Sequence, residues 1–91
     1  MSKIFKDVGF TDAESQILEM KSALLNQILQ IVEQEGYSQK DLQEILAVPQ
    51  PRVSELLNGK MSTMGMEKLV EYLMRLGCAP TWKFKYKKAV G

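Results

Sequence analysis

The chain has 91 residues, of which 45% are apolar and 25% charged, and its net charge is +1. This composition suits one small globular domain and excludes a disordered chain; at such a size only about 60–65% of the unfolded surface is buried, so a second copy would add stability. With no His and a single Cys, Cys78, the chain can form neither an internal disulfide nor a Cys/His metal cluster and has no imidazole base, so no catalytic residue, metal or cofactor is expected.

The charge is unevenly spread along the chain. Residues 1–36 carry three Lys and six Asp or Glu, a balance of −3, whereas residues 37–91 carry nine Lys or Arg and five acids, a balance of +4. Attraction to phosphate requires such segregation, although a mixed surface with a basic tail also satisfies the counts. Residues 1–7 lack the apolar core of a signal peptide, and no run approaches the ~20 apolar residues of a membrane span. The expected location is the cytoplasm, with no membrane partner.

Residues 1–10 read as an irregular arm in which Ile4, Phe5, Val8 and Phe10 are free to lie against the domain. Thr11 and Glu14 have the spacing of a capping box, in which each satisfies a backbone N–H at the start of a helix. That helix runs over residues 12–35: Ile17, Leu18, Leu24, Leu25, Ile28, Leu29, Ile31 and Val32 recur at helical spacing, and Gly36 supplies the stop. At 1.5 Å per residue it spans about 36 Å, more than a minimal core needs. Its second half suffices for packing. Ile17, Leu18 and Met20 either meet another protein or are covered by Ile4, Phe5 and Phe10 folding back.

Residues 37–60 read as two short helices joined by a tight turn. Ser38 is a favourable N-cap for the first, which carries Leu42, Ile45 and Leu46 on one face. Ala47, Val48 and Pro49 leave room for only a brief turn. Pro51, which lacks an N–H, suits the first turn of a second helix that starts near Gln50, carries Val53, Leu56 and Leu57, and stops at Asn58 and Gly59. Neither apolar face is wide enough to stabilise its helix alone, so the two must pack together as a helix-turn-helix.

After a loop over residues 61–64, Gly65 is a tolerable N-cap for a helix from Met66 to about Leu76, striped by Leu69, Val70, Leu73 and Leu76 and ended by Gly77. Met61, Met64, Met66 and Met74 are expected as core filler. Beyond Pro80 the period changes to two, with Trp82, Phe84 and Tyr86 alternating with Lys83, Lys85 and Lys87. This predicts a β-strand over residues 81–87. A lone strand leaves its backbone unpaired, so it should pair with the same segment of a twofold-related chain or add to a partner's sheet.

The run from Ser38-Gln39 through Leu42, then Leu46, Val48, Gln50, Val53-Ser54, Leu56 and Gly59-Lys60, resembles the XRE/Cro-repressor helix-turn-helix class of DNA-binding regulators. The likeness extends over residues 5–21 and 69–86, in the manner of short XRE regulators that include HigA-like antitoxins. It implies an all-α, four- to five-helix lambda-repressor-like domain over residues 11–78 with its motif at 38–58, preceded by the arm at 1–10 and followed by the strand and basic tail at 79–91.

A recognition helix in the major groove offers its leading residues to base edges. Gln50, Arg52 and Glu55 are then the candidate readers: Gln50 has the paired donor and acceptor that suit adenine, and Arg52 suits guanine or, equally, a phosphate. The resemblance supports Gln50 as a base or backbone contact and implies Gln39 as a phosphate contact at the positive end of the first helix. Ser54 lies toward the helix flank, with Asn58 and Lys60 positioned to meet the sugar-phosphate chain beyond it. Pro51 replaces a polar reader at the leading end, and Gln43 replaces a small residue where the helices touch, so that Gln43 either tilts outward or splays the pair. The expected partners are double-stranded DNA and a second copy of the chain through Trp82, Phe84 and Tyr86. The expected function is sequence-specific transcriptional regulation, as a repressor; the alternative is an antitoxin that neutralises a RelE-like toxin and autoregulates its operon.

Overall fold

The computed structural model describes residues 10–84 and 86, with side chains from residue 13 onward. Its first helix, α1 (Phe10–Glu35), is unbroken for 26 residues because no Gly or Pro interrupts it. Thr11 lies inside α1, which corrects its expected place as the N-cap. A capping box is worth only about 1 kcal/mol, too little to set a boundary where the preceding residue can continue the helix. The packing expected of Ile4, Phe5, Val8 and the Phe10 side chain lies outside the described residues.

Two eight-residue helices follow, α2 (Gln39–Leu46) and α3 (Gln50–Leu57), with the bounds expected from their caps. Residues 61–64, expected as a loop, contain a 3-10 turn (Met61–Thr63), and α4 (Met66–Arg75) completes the helices among the described residues. Gly59 closes α3 with φ +73°, a conformation that L side chains rarely adopt. The Gly59 N–H donates to the Leu56 carbonyl at 3.0 Å and the Lys60 N–H to the Glu55 carbonyl at 3.0 Å, satisfying the helix end.

The core is one cluster to which each of the four described α-helices contributes: Leu24, Leu25 and Ile28 from α1, Leu42 and Leu46 from α2, Val53 and Leu56 from α3, and Leu69, Tyr72 and Leu73 from α4, with Met64 closing it. Full burial of such a side chain stabilises the fold by about 1.5–3 kcal/mol before chain entropy is counted. The second half of α1 lies against α4, and α2 lies against α3. Helix α3 therefore rests on its neighbours' apolar faces through Val53 and Leu56 and keeps Gln50 and Pro51 outside.

Three expectations are corrected by packing. The expected α4 stripe of Leu69, Val70, Leu73 and Leu76 omitted Tyr72, which is fully buried with Leu69 and Leu73, while Val70 and Leu76 are half-buried and pack beside them; the spacing i, i+3, i+4 of the buried residues is that of one helical face. Met64 is buried core filler and Met61 and Met66 pack beside it, but Met74 is exposed, because it projects from the side of α4 away from that stripe. Among the described residues none is in a β-strand: 81–84 and 86 have no regular backbone pairing, and Phe84 and Tyr86 are 87% and 88% exposed. The described residues offer this segment no strand to pair with. Lys85 and Lys87 lie outside the described residues.

Candidate nucleic-acid interface

The start of α2 is fixed by a reciprocal cap. The Asp41 N–H donates to Ser38 Oγ at 3.1 Å, and the Ser38 N–H donates to Asp41 Oδ2 at 2.9 Å. Gln39 is thereby held exposed on the first turn. The turn into α3 passes through Ala47, whose φ of 58° and ψ of 47° place it in the left-handed region. The Ala47 and Val48 N–H groups both donate to the Gln43 carbonyl, closing α2. Gln43 itself is half-buried at this join.

Pro49 caps α3 with its carbonyl, which accepts from the Arg52 and Val53 N–H groups at 3.0 and 3.2 Å. No side-chain oxygen covers this helix start. Gln50 and Pro51 are exposed there. Across the turn, Gln50 Nε2 donates to Gln39 Oε1 at 3.0 Å. One amide proton and Oε1 of Gln50 remain, the donor-acceptor pair that adenine requires. Gln39 thus acts here as a brace for Gln50, and a phosphate contact would have to use its remaining amide protons.

Arg52 and Glu55 point into a second cluster. Arg52 Nη1 lies 3.6 Å from Glu55 Oε1 and donates to the Thr63 carbonyl at 3.3 Å. The Thr63 hydroxyl lies 3.2 Å from the Lys60 carbonyl and 3.4 Å from Glu55 Oε1; with one proton it donates to only one of them at a time. Both Arg52 and Glu55 have 36% side-chain exposure, so their pairing is solvated and exchangeable. On the flank of α3, Asn58 Nδ2 donates to the half-buried Ser54 Oγ at 3.4 Å, and Lys60 is exposed just beyond.

The structure therefore sorts the expected DNA-facing residues into three places: Gln39, Gln50 and Pro51 at the leading end, Arg52 and Glu55 against the 3-10 turn, and Ser54, Asn58 and Lys60 along the trailing flank. Thr63 was missed by sequence reasoning. It sits in a loop with no periodicity, and nothing in its neighbours signals a contact with α3. Among the described residues no group of three His, Cys, Asp or Glu could hold a metal ion, and no helix is long and apolar enough to cross a membrane.

A short helix packed across its predecessor, with its leading residues exposed, is the arrangement by which helix-turn-helix proteins present a recognition helix to DNA. The family model for a helix-turn-helix domain matches residues 4–80, and the chain belongs to that family. A solved structure of a candidate XRE family transcriptional regulator has the same fold, with a TM-score of 0.75 and 22% identity, covering 86% of this chain and 91% of that one. No curated protein matches the sequence.

Proposed function

We propose that this protein is a sequence-specific DNA-binding transcriptional regulator, a cytoplasmic repressor that acts by occupying promoter DNA. The observation that carries this reading is the exposed leading end of α3, where Gln50 is braced by Gln39 and retains a free donor and acceptor. Gln50 would read a base edge, Gln39 and Lys60 would meet phosphates, and Arg52, Ser54 and Asn58 would fix the register on the duplex. Pro51 would contribute a contact surface without a backbone donor. Glu55 would orient Arg52.

A homodimer reading an inverted repeat follows if the two α3 helices enter half-sites about 10 base pairs apart or a multiple of that spacing. In that dimer Trp82, Phe84 and Tyr86 would belong to the seam, and the segment 81–87 would become a strand once another chain supplies backbone partners. Footprinting upstream of the protein's own gene tests the reading. Protection of a twofold-symmetric site is expected; a folded protein that protects nothing at any salt concentration sinks it.

The exposed Ile17 and Leu18 favour a second role, since apolar side chains at 49% and 55% exposure on one helix face suit a protein partner. In that reading the chain is an antitoxin that binds a RelE-like toxin and autoregulates its operon. Copurification with a small basic protein encoded beside it is the test, and a neighbouring gene product that neither binds nor inhibits growth removes the idea.

A further inference from the structure

The turn after α3 does more than return the chain to α4. Met64 is buried at 2% exposure and its N–H donates to the Met61 carbonyl at 3.1 Å, so the core pins the turn in place. Thr63, the residue before it, is exposed and meets α3 with both of its oxygens. Its carbonyl accepts from Arg52 Nη1 at 3.3 Å, and its hydroxyl lies 3.4 Å from Glu55 Oε1. Arg52 and Glu55, about one turn apart on α3 and 3.6 Å from each other, are thereby held as a pair.

These contacts use one end of each side chain. Among the described residues, Arg52 Nη2 and Nε and Glu55 Oε2 have no hydrogen-bond partner, and both side chains reach solvent. Spare donors and a spare acceptor therefore stand on adjoining side chains of α3. A phosphate could take the donors, but it would lie within a few ångströms of a carboxylate of like charge. A C·G pair carries no net charge and answers both groups, since guanine offers the O6 and N7 acceptors and its cytosine the N4 donor. An A·T pair does not, because its donor lies between its two acceptors.

We propose that Arg52 and Glu55 read one C·G pair in each half-site as a unit, and that Thr63 is the positioning residue that holds the unit in shape. Arg52 donates to guanine and Glu55 Oε2 accepts from cytosine. The Thr63 carbonyl and hydroxyl keep guanidinium and carboxylate together before DNA arrives, which lowers the cost of ordering two long side chains on binding. The assignment rests on the DNA-binding reading above and deepens it, giving Arg52 a base edge and Glu55 a contact of its own.

Base analogues test it. The preferred duplex is first selected from a random library with the full-length wild-type chain, and fluorescence anisotropy then gives Kd on variants of that duplex. Each half-site should hold a C·G pair at which 7-deazaguanine, which lacks the N7 acceptor, weakens binding about fivefold or more. Arg52→Met, which keeps an apolar stem and removes the guanidinium, should lose that sensitivity. Replacing the paired cytosine by 2-pyrimidinone removes the N4 donor, and should weaken the wild type about threefold more than it weakens Glu55→Ala. Any effect of an analogue on the duplex itself is common to both chains and cancels in the comparison.

Thr63→Val should reduce the preference for C·G over T·A at that position about threefold, with Kd on a scrambled duplex and the thermal midpoint unchanged, and Thr63→Ser should restore it. An unchanged preference in Thr63→Val, or an equal loss on both duplexes with lower stability, removes Thr63 from the reading unit. A preferred duplex with no analogue-sensitive C·G pair, or equal sensitivity in wild type and variants, overturns the whole assignment and leaves the DNA-binding reading standing. A wild-type chain that selects no duplex sinks both together.

Discussion

The two halves of α1 carry the same apolar pattern and have different fates. Leu24, Leu25 and Ile28 are buried against the other helices, whereas Ile17 and Leu18, a heptad or so earlier, remain half in solvent. Periodicity establishes that a helix has a face; it does not establish what the face meets. The difference lies in what the rest of the chain can reach, since α4 ends after ten residues and covers only the later turns. The same contrast separates the helix-turn-helix, whose polar side chains find partners within the motif and the turn after it, from the segment after Pro80, whose Phe84 and Tyr86 stay exposed among the described residues.

Truncations along α1 sharpen that contrast and give the largest effect. Ile28→Ala should cost about 2–5 kcal/mol in urea unfolding, because the side chain is fully buried and its cavity cannot be refilled. Ile28→Val, a gentler change, should cost about 0.5–1.5 kcal/mol and keeps the measurement possible if the first variant does not fold. Ile17→Ala, measured at a concentration where the chain is monomeric, should change stability by less than about 0.5 kcal/mol. Equal losses at both positions would mean that the first half of α1 is covered within its own chain.

The next effect concerns the leading end of α3. Gln50→Ala should lose about 1–3 kcal/mol of affinity for each cognate half-site, with little change on unrelated DNA at the same salt. Gln39→Ala should lose less on the cognate site, since it removes the brace and leaves the reader. Fluorescence anisotropy on cognate and scrambled duplexes separates specific from non-specific binding. A loss shared equally by both duplexes would assign Gln50 to backbone contact.

The helix-turn-helix was legible because its signals are local. Ser38, Pro49, Pro51 and Gly59 each constrain the backbone within a turn of their own position, and α2 and α3 have the bounds those residues imply. The contacts of the candidate site were legible only in part. Gln39 and Gln50 were both candidates, yet their hydrogen bond spans eleven residues and depends on how two helices cross. The Arg52–Thr63 contact has the same separation. Tyr72 escaped because an amphipathic residue gives no sign of which way it faces, and because Val70 offered a competing stripe. The tail's alternation of period two marked which side chains share a face but could not supply a pairing partner, and in the single chain no strand forms among the described residues.

Ser38→Ala tests whether local capping carries the motif on its own. It removes the acceptor for the Asp41 N–H and should cost about 1 kcal/mol in thermal or urea unfolding. Because α2 also packs through Leu42 and Leu46, the fold should persist with DNA affinity nearly unchanged at low temperature. A larger loss of affinity than of stability would show that the cap also sets the position of Gln39.

The smallest effect is expected at the turn, where the local rule and the fold pull in opposite directions. Ala47 holds φ at 58°, a conformation that costs a residue with a Cβ about 1–2 kcal/mol. Glycine removes that cost but loses about 0.5–1 kcal/mol more chain entropy on folding. Ala47→Gly should therefore stabilise the domain by up to about 1 kcal/mol, raising the urea midpoint without altering the slope of the transition. The entropy term acts through the unfolded chain, so the Gln39–Gln50 spacing and the operator affinity should not change. A stabilised variant that binds its operator less well would instead show that the alanine limits the angle between α2 and α3, and that the strain in this turn is what keeps the two glutamines in register.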